Sequence, residues 1–442
     1  MGKAFLSRDD SSPKSGSSAP GQAARALWRQ LGAGLITGAS DDDPSGIGTY
    51  AQAGAGWGFG LGWTLLLTYP LMVAIQAISA RIGRTTGCGI AGNLRQHYPS
   101  ALLRSIVGLL LAANILNLGA DLGAMAECLR LLVRSLPAWL WVAFFGGVCI
   151  VLQLFCSYAR YVAVLKWLTL GLLSYFAVLA VVRVSWLAVL EGLLWPHWSS
   201  DRSLWLMVVA LLGTTISPYL FFWQAGQEVE DTKAHPARIP LRRKPSQGPS
   251  ALARIRTDTL IGMAMSNLVG LAILITAGAT LYPNGIHQVT TAAQAAQGLR
   301  PLAGSLAFLL FTVGLIGSGL LAVPVLAGSA AYAVGEACGW PVGLSRKPLR
   351  AKAFYATIAA ATFIGALANA ASVSPMQALV WAAVINGIVA VPVMVLVMLM
   401  ATSARVMGPF QISMRLRAFG WAATAVMLLA AAGLVWSVVR SS

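Results

Sequence analysis

The sequence predicts an all-α integral membrane protein of eleven transmembrane helices, with the first and the sixth broken near their middles. Three observations carry this prediction. Apolar residues make up 57% of the 442-residue chain and charged residues only 10%, a balance too apolar for a soluble protein of this length. Eleven segments are apolar over the roughly 20 residues that a span needs, near 27–57, 59–81, 103–133, 136–156, 161–186, 204–229, 257–281, 303–335, 352–372, 376–401 and 418–439. The basic residues between these segments fall mostly on alternate loops.

Ahead of the first span, residues 1–26 are rich in Ser, Gly and Pro and lack an apolar core. They read as a disordered cytoplasmic tail and not as a signal peptide. Residues 27–442 are expected to form one transmembrane domain, with repeat one over 27–186, repeat two over 204–401 and an extra helix over 418–439. Residues 232–255 read as a loop between spans six and seven. With the N-terminus inside, the inner loops hold 20 Lys and Arg, including Arg160 and Lys166, and the outer loops hold five. Positive charge marks the cytoplasmic side, so the N-terminus is expected in the cytoplasm, the C-terminus outside, and the chain in the inner (plasma) membrane. The net charge of +17 is then a topology signal and a contact for anionic lipid. It does not point to nucleic acid. The cysteines Cys88, Cys128, Cys149, Cys156 and Cys338 show no metal-ligand spacing or disulfide framework and read as small packing residues.

The first span carries Gly38-Ala39-Ser40-Asp41-Asp42-Asp43-Pro44-Ser45-Gly46. A charged side chain at the centre of a spanning helix costs roughly 3 kcal/mol or more, so such residues are rare and usually functional. Pro44 removes a helix hydrogen bond and frees carbonyls near Ser40. The sixth span repeats the break at Thr214-Thr215-Ile216-Ser217-Pro218-Tyr219, freeing carbonyls near Thr214. Five spans separate the two breaks, the spacing of two inverted five-helix repeats. Free carbonyls at half-helix ends are cation ligands, and Asp43 would neutralise part of the charge. Asp41 and Asp42 either bind the hydrated ion or face an aqueous vestibule without touching it.

The other acids divide by position. In span three, Asp121 follows Asn114 and Asn117 and is expected to line the transport route, while Glu127 caps the helix or pairs with Arg130, or shares in function. Gln227, Glu228, Glu230 and Asp231 crowd the inner end of span six, as a solvated helix end or as a vestibule that concentrates cations. Asp258 is expected to open span seven at a helix-dipole position, and Glu336 to end span eight. Asn386, buried in span ten, either lines the pathway or hydrogen-bonds between helices.

At these motifs the chain resembles the Nramp family of divalent metal-ion transporters. Asp43-Pro44-Ser45-Gly46 stands where that family has Asp-Pro-Gly-Asn, and Ser217-Pro218-Tyr219 where it has Met-Pro-His. The resemblance runs from about Leu31 to the last span and includes Asp121. It implies a LeuT-like fold and a metal site made of Asp43, the positions of Gly46 and Ser217, and the carbonyls of Ser40 and Thr214. The glutamine of the family's span ten falls on Val384, with Asn386 half a turn later. The run from Thr214 to Gln224, followed by Glu228, is closer to a divergent prokaryotic branch such as the Nramp-related magnesium transporters.

The departures from the family decide the expected cargo. Gly46 offers no side-chain ligand, Ser217 removes the soft thioether, and Tyr219 replaces the histidine. Oxygen-only sites favour Mg²⁺, Ca²⁺ or Mn²⁺, and Mg²⁺ usually keeps several waters, for which Gly46 and Ser217 are expected to leave room. His97, His197, His235 and His287 all lie in or near loops, so no buried imidazole can relay protons. The expectation is a secondary carrier for hard divalent cations, Mg²⁺ first and Mn²⁺ next. It would work by alternating access as a monomeric uniporter, without cofactor and without enzymatic activity. The alternatives are a proton-coupled Mn²⁺ or Fe²⁺ importer and a sodium-coupled amino-acid or small-organic carrier of the same fold, whose anionic substrate the triple aspartate disfavours. An enzyme lacks a buried nucleophile–base pair, and a channel suits two broken helices less well than a carrier.

Overall fold

The computed structural model describes residues 33–133, 136–155, 173–196, 201–235, 237–369 and 374–441. The expected tail 1–26, Cys156, Arg160, Lys166, His197 and the first part of span five lie outside the described residues. The first span is two half-helices, α1 (Ala33–Asp41) and α2 (Pro44–Trp57). It is followed by α3 (Gly62–Thr86), α4 (Ile90–His97), α5 (Ser100–Leu132), α6 (Ala138–Phe155), α7 (Ser174–Val181) and α8 (Trp186–Leu194). The sixth span is again divided, into α9 (Arg202–Thr215) and α10 (Pro218–Ala234). Then come α11 (Gly248–Thr280), α12 (Ala292–Gln297), α13 (Arg300–Ala303), α14 (Ala307–Cys338), α15 (Lys352–Ala368), α16 (Pro375–Thr402), α17 (Ala404–Met407) and α18 (Met414–Ser441).

Among the described residues, eight helices are long and apolar enough to cross a membrane, with α9 and α10 taken together. The shorter apolar α15 has 17 residues, and the halves of the first span have 9 and 14. Proline alone does not break a helix here, because Pro70, Pro324 and Pro392 lie inside continuous α3, α14 and α16. At the two breaks the residue before proline turns extended, Asp43 at φ −71°, ψ 170° and Ser217 at φ −79°, ψ 131°. Each proline then opens a new helix, where its missing N–H is not needed. Asp43 also caps α2, accepting the Gly46 N–H at 2.7 Å, as an N-cap acid should.

The packing mirrors the predicted repeats. Span one packs on α11 of span seven, and α10 of span six packs on α3 of span two. On the other side α5 lies against α14, α15 and α16, and α6 against α5. At both bundle contacts the backbones nearly touch. A Cβ on Gly38 would lie 2.1 Å from the Gly262 carbonyl, and one on Gly83 2.2 Å from the Ala225 carbonyl. Small residues are what let helices approach this closely.

Span seven corrects one expectation. The helix begins at Gly248 with a proline in its first turn, so the loop expected over 232–255 is largely helical at both ends. Asp258 lies well inside α11, 2% exposed, and accepts the Gly34 and Leu35 amides at 2.7 and 3.1 Å. It serves the first turn of α1. Glu336 likewise accepts Gly89 and Gly92 amides at the start of α4. Glu127 accepts the Ala292 amide at 3.0 Å at the start of α12, where a pairing with Arg130 was one expectation. A carboxylate beside unsatisfied N-terminal amides is favourable, and here three helices are capped from elsewhere in the chain.

Candidate cation site

Both breaks meet at Asp43. Its Oδ1 accepts the Gly46 amide and the Ser45 hydroxyl, each at 2.7 Å. Its Oδ2 accepts the Asn117 side-chain amide at 3.0 Å and the Tyr219 hydroxyl at 3.2 Å. Four donors from α2, α5 and α10 therefore converge on one carboxylate. The Tyr219 hydroxyl also lies 3.2 Å from the Ser40 carbonyl, so this side chain ties the first break to the second. Asn117 extends the network. Its Nδ2 is 3.4 Å from Asp121 Oδ2, and its Oδ1 accepts Asn386 Nδ2 at 3.3 Å. Asn386 thus bonds between helices and belongs to the site at the same time. Val384 is buried and apolar.

Several expectations change on contact with the geometry. Asp41 and Asp42 do not face an aqueous vestibule. They are 0% and 5% exposed, and Ser266 of α11 lies 2.5 Å from Asp41 Oδ2 and 3.3 Å from Asp42 Oδ1. Nor does the small residue Gly46 leave open room for water. A Cβ there would sit 3.2 Å from Thr214 Oγ1, 3.3 Å from the Asp41 carbonyl and 3.4 Å from the Tyr50 ring. The Ser217 hydroxyl folds back on the Gly213 and Thr214 carbonyls at 2.7 and 3.0 Å, satisfying the oxygens that Pro218 had freed. Glu228 is no vestibule acid either. It is fully buried and pairs with Arg254 at 2.5 Å, because the neighbouring α11 begins earlier than expected and carries Arg254 into reach. Glu230 holds Ser345, and Asp231 holds Arg238. Gln227 is half-buried and lies on the same inner turn, away from the breaks.

Some participants escaped the sequence reading. Ser318 and Ser329 of α14 donate to the Asp42 carbonyl and, at 2.8 Å, to the Tyr219 carbonyl. Eleven residues is close to three helical turns, so one face of α14 holds a carbonyl from each break. Thr37 of α1 donates to Gln224 of α10. The only signal for these was the placing of single hydroxyls in otherwise apolar helices.

The electrostatics call for positive charge. Asp41, Asp42, Asp43 and Asp121 are all buried, and among the described residues none of them makes an ion pair with Lys, Arg or His. Asp41 Oδ1, Asp121 Oδ1, Asn386 Oδ1 and Thr214 Oγ1 are buried without a hydrogen-bond partner, a costly state for polar atoms. The Asn386 Oδ1, and the Asp41 and Asp121 oxygens when ionised, can only accept from a donor or bind a cation. Among the described residues no three His, Cys, Asp or Glu converge as a ready cage for a metal ion, so carboxylate, amide and backbone oxygens would have to share the task. The described histidines His97, His235 and His287 are not buried, and Cys88, Cys128, Cys149 and Cys338 are unpaired thiols.

Comparison with known proteins identifies the family. A family profile for natural resistance-associated macrophage protein-like (Nramp) sequences matches residues 34–437. A divalent metal cation transporter MntH of Ralstonia nicotianae is 29% identical over 310 residues, 66% of each chain. The MntH of Burkholderia ambifaria is 25% identical across 93% of this chain and 89% of its own. In structure, the chain is similar to the Eremococcus coleocola manganese transporter, with a TM-score of 0.70 and 18% identity over 92% of this chain and 86% of that one. It is also similar to MhsT bound to L-phenylalanine, with a TM-score of 0.57 and 13% identity over 91% and 98% of the two chains. With its two broken spans, its repeat-related packing and a match along nearly its whole length, the chain belongs to the Nramp family and has the LeuT-like fold.

Proposed function

We propose that this protein is a secondary carrier of hard divalent cations, Mg²⁺ first and Mn²⁺ next, that works by alternating access without tight proton coupling. The observation that carries the reading is the set of buried oxygens without donors around Asp43 and Asn117. Hard oxygen donors suit Mg²⁺ and Mn²⁺, and thioethers suit softer ions. Asp43, Asn386, Asp121 and Thr214 would take the ion directly or through water. The Ser40 and Thr214 carbonyls would join them once the hydroxyls of Tyr219 and Ser217 let go, and Gly46 would supply close approach only. Asp41 and Asp42, held by Ser266, would add charge beside the ion. The two broken helices would hold the ion near the midplane of the repeats 27–186 and 204–401 while one helix bundle rocks against the rest, and one subunit suffices.

Uptake of Mg²⁺ and Mn²⁺ into liposomes by the parent and Asp43→Ala tests the reading. Parent uptake of both ions and none by the variant is expected; undiminished Mg²⁺ uptake by Asp43→Ala would remove its basis. A second reading is proton-coupled Mn²⁺ import; its metal, though not its coupling, is supported by the similarity to divalent metal cation transporters and to a manganese transporter. A lumenal pH dye separates the two, because coupled import acidifies the lumen in step with metal entry.

A further inference from the structure

Arg254, Asp258, Gly262, Ser266 and Gly270 follow one another at intervals of four along α11. That spacing forms one ridge on a helix surface, and this ridge follows the broken first span. Ser266 holds Asp41 and Asp42 at the end of α1. Gly262 meets the α1 backbone at Gly34 and Gly38. Gly270 faces the Tyr50 ring of α2. The other two residues, one turn apart and opposite in charge, hold helix ends remote from the ion site. Asp258 accepts the Gly34 and Leu35 amides in the first turn of α1. Arg254 pairs with the buried Glu228 of α10 at 2.5 Å and lies 3.6 Å from Asp231. Thr37 of α1 and Gln224 of α10 are bonded beneath them.

These contacts exist only while α1 packs on α11 and the acids of α10 stay within reach of Arg254. Contacts present in one of two states bias the equilibrium toward that state. Separating Glu228 from Arg254 without hydration would leave an unpaired buried charge, which is strongly unfavourable, so the pair can part only as water enters. Resting on the carrier reading for what passes through, we infer that the Arg254–Asp258 turn of α11 is the latch that holds α1 and α10 closed on the side where α1 begins. Its release opens the ion site to that side.

The test reads conformation and needs no transported ion. The full chain is purified with its native cysteines replaced and carries one reporter, either Thr37→Cys in α1 or Thr49→Cys in α2; both positions are fully buried. A water-soluble maleimide then reports opening of each half separately. In Asp258→Asn and in Glu228→Gln, the Thr37 reporter reacts roughly tenfold faster than in the parent, the shift expected for loss of a charge-assisted contact made in one state only. The Thr49 reporter reacts no faster. Because Glu228 and Arg254 act as one pair, Glu228→Gln combined with Arg254→Gln gives no further rise beyond the larger single effect. Unchanged Thr37 labelling in both single variants overturns the latch, and so does an equal rise at both reporters, which is general loosening. A variant that does not elute as a single peak is replaced by Arg254→Lys, for which faster Thr37 labelling is again required. Failure of Mg²⁺ and Mn²⁺ uptake by the parent would sink the cargo assignment and leave these labelling rates untouched.

Discussion

Asn117 is the side chain through which the acids of two spans communicate. It donates to Asp43 and Asp121 and accepts from Asn386, so its loss strips a donor from a buried carboxylate. Leaving such a group unsatisfied costs about 1–3 kcal/mol. Asn117→Ala is therefore expected to raise the KM for Mg²⁺ uptake by about tenfold or more. Asn114 is the control, close by on the same helix. It donates to the Leu326 carbonyl of α14 at 3.1 Å, so Asn114→Ala should lower thermal stability and leave KM within about twofold, since a structural bond contributes only about 1 kcal/mol. Uptake titrations with a thermal scan in detergent check both, and equal KM values for the two variants would refute the assignment. The acids near the breaks were legible in the sequence because carboxylates at depth are rare. The aim of Asn117 was not, since its partner Asp43 lies 74 residues away and only the packing of α5 against the break brings them together.

At the scale of helices, the two breaks were legible because they are local. Proline, an extended residue before it and a capping carboxylate all fall within a few positions. The α11 ridge was not, because nothing in the chain says which face of span seven meets span one. Asp258 shows the consequence: its carboxylate looked like part of its own helix end and instead caps α1. The glycines give a graded test of this packing. A Cβ at Gly38 would be 2.1 Å from the Gly262 carbonyl, which only movement of backbone can relieve. Overpacking of this kind costs about 1–3 kcal/mol, so Gly38→Ala should lower the unfolding temperature by several degrees. At Gly46 the nearest atoms stand at 3.2–3.4 Å and include the Thr214 and Tyr50 side chains, which can yield slightly. Gly46→Ala should unfold close to the parent temperature while uptake falls severalfold, because the methyl group sits where the breaks meet. The opposite pattern, an unstable Gly46→Ala and a stable Gly38→Ala, would show that α1 does not pack on α11 as described.

Over the whole molecule, charge decides how transport is driven. Among the described residues the carboxylates at the breaks have no basic partner, the histidines are not buried, and the inner acids of α10 are engaged by Arg254, Arg238 and Ser345. A coupled carrier needs groups that take protons from one side and deliver them to the other, and no chain of imidazoles links this site to either surface among the described residues. On the uniport reading each turnover then moves two positive charges with nothing in return. An elementary charge crossing 100 mV gains roughly 2.3 kcal/mol, so a divalent ion gains about twice that. At equilibrium this corresponds to an accumulation ratio above about 10³, each tenfold being 1.36 kcal/mol. In liposomes with an inside-negative potassium diffusion potential, Mg²⁺ should enter against its own gradient, and the effect should vanish when the potential is clamped to zero. An imposed pH gradient at zero potential should drive nothing. Proton-coupled import predicts instead that an inward proton gradient drives metal entry at zero potential and that the lumen acidifies as metal enters. Metal uptake driven by the pH gradient at zero potential, with acidification of the lumen, would therefore replace uniport by proton-coupled import, with Asp121 and the Asp41–Asp43 cluster as the groups left to carry the protons.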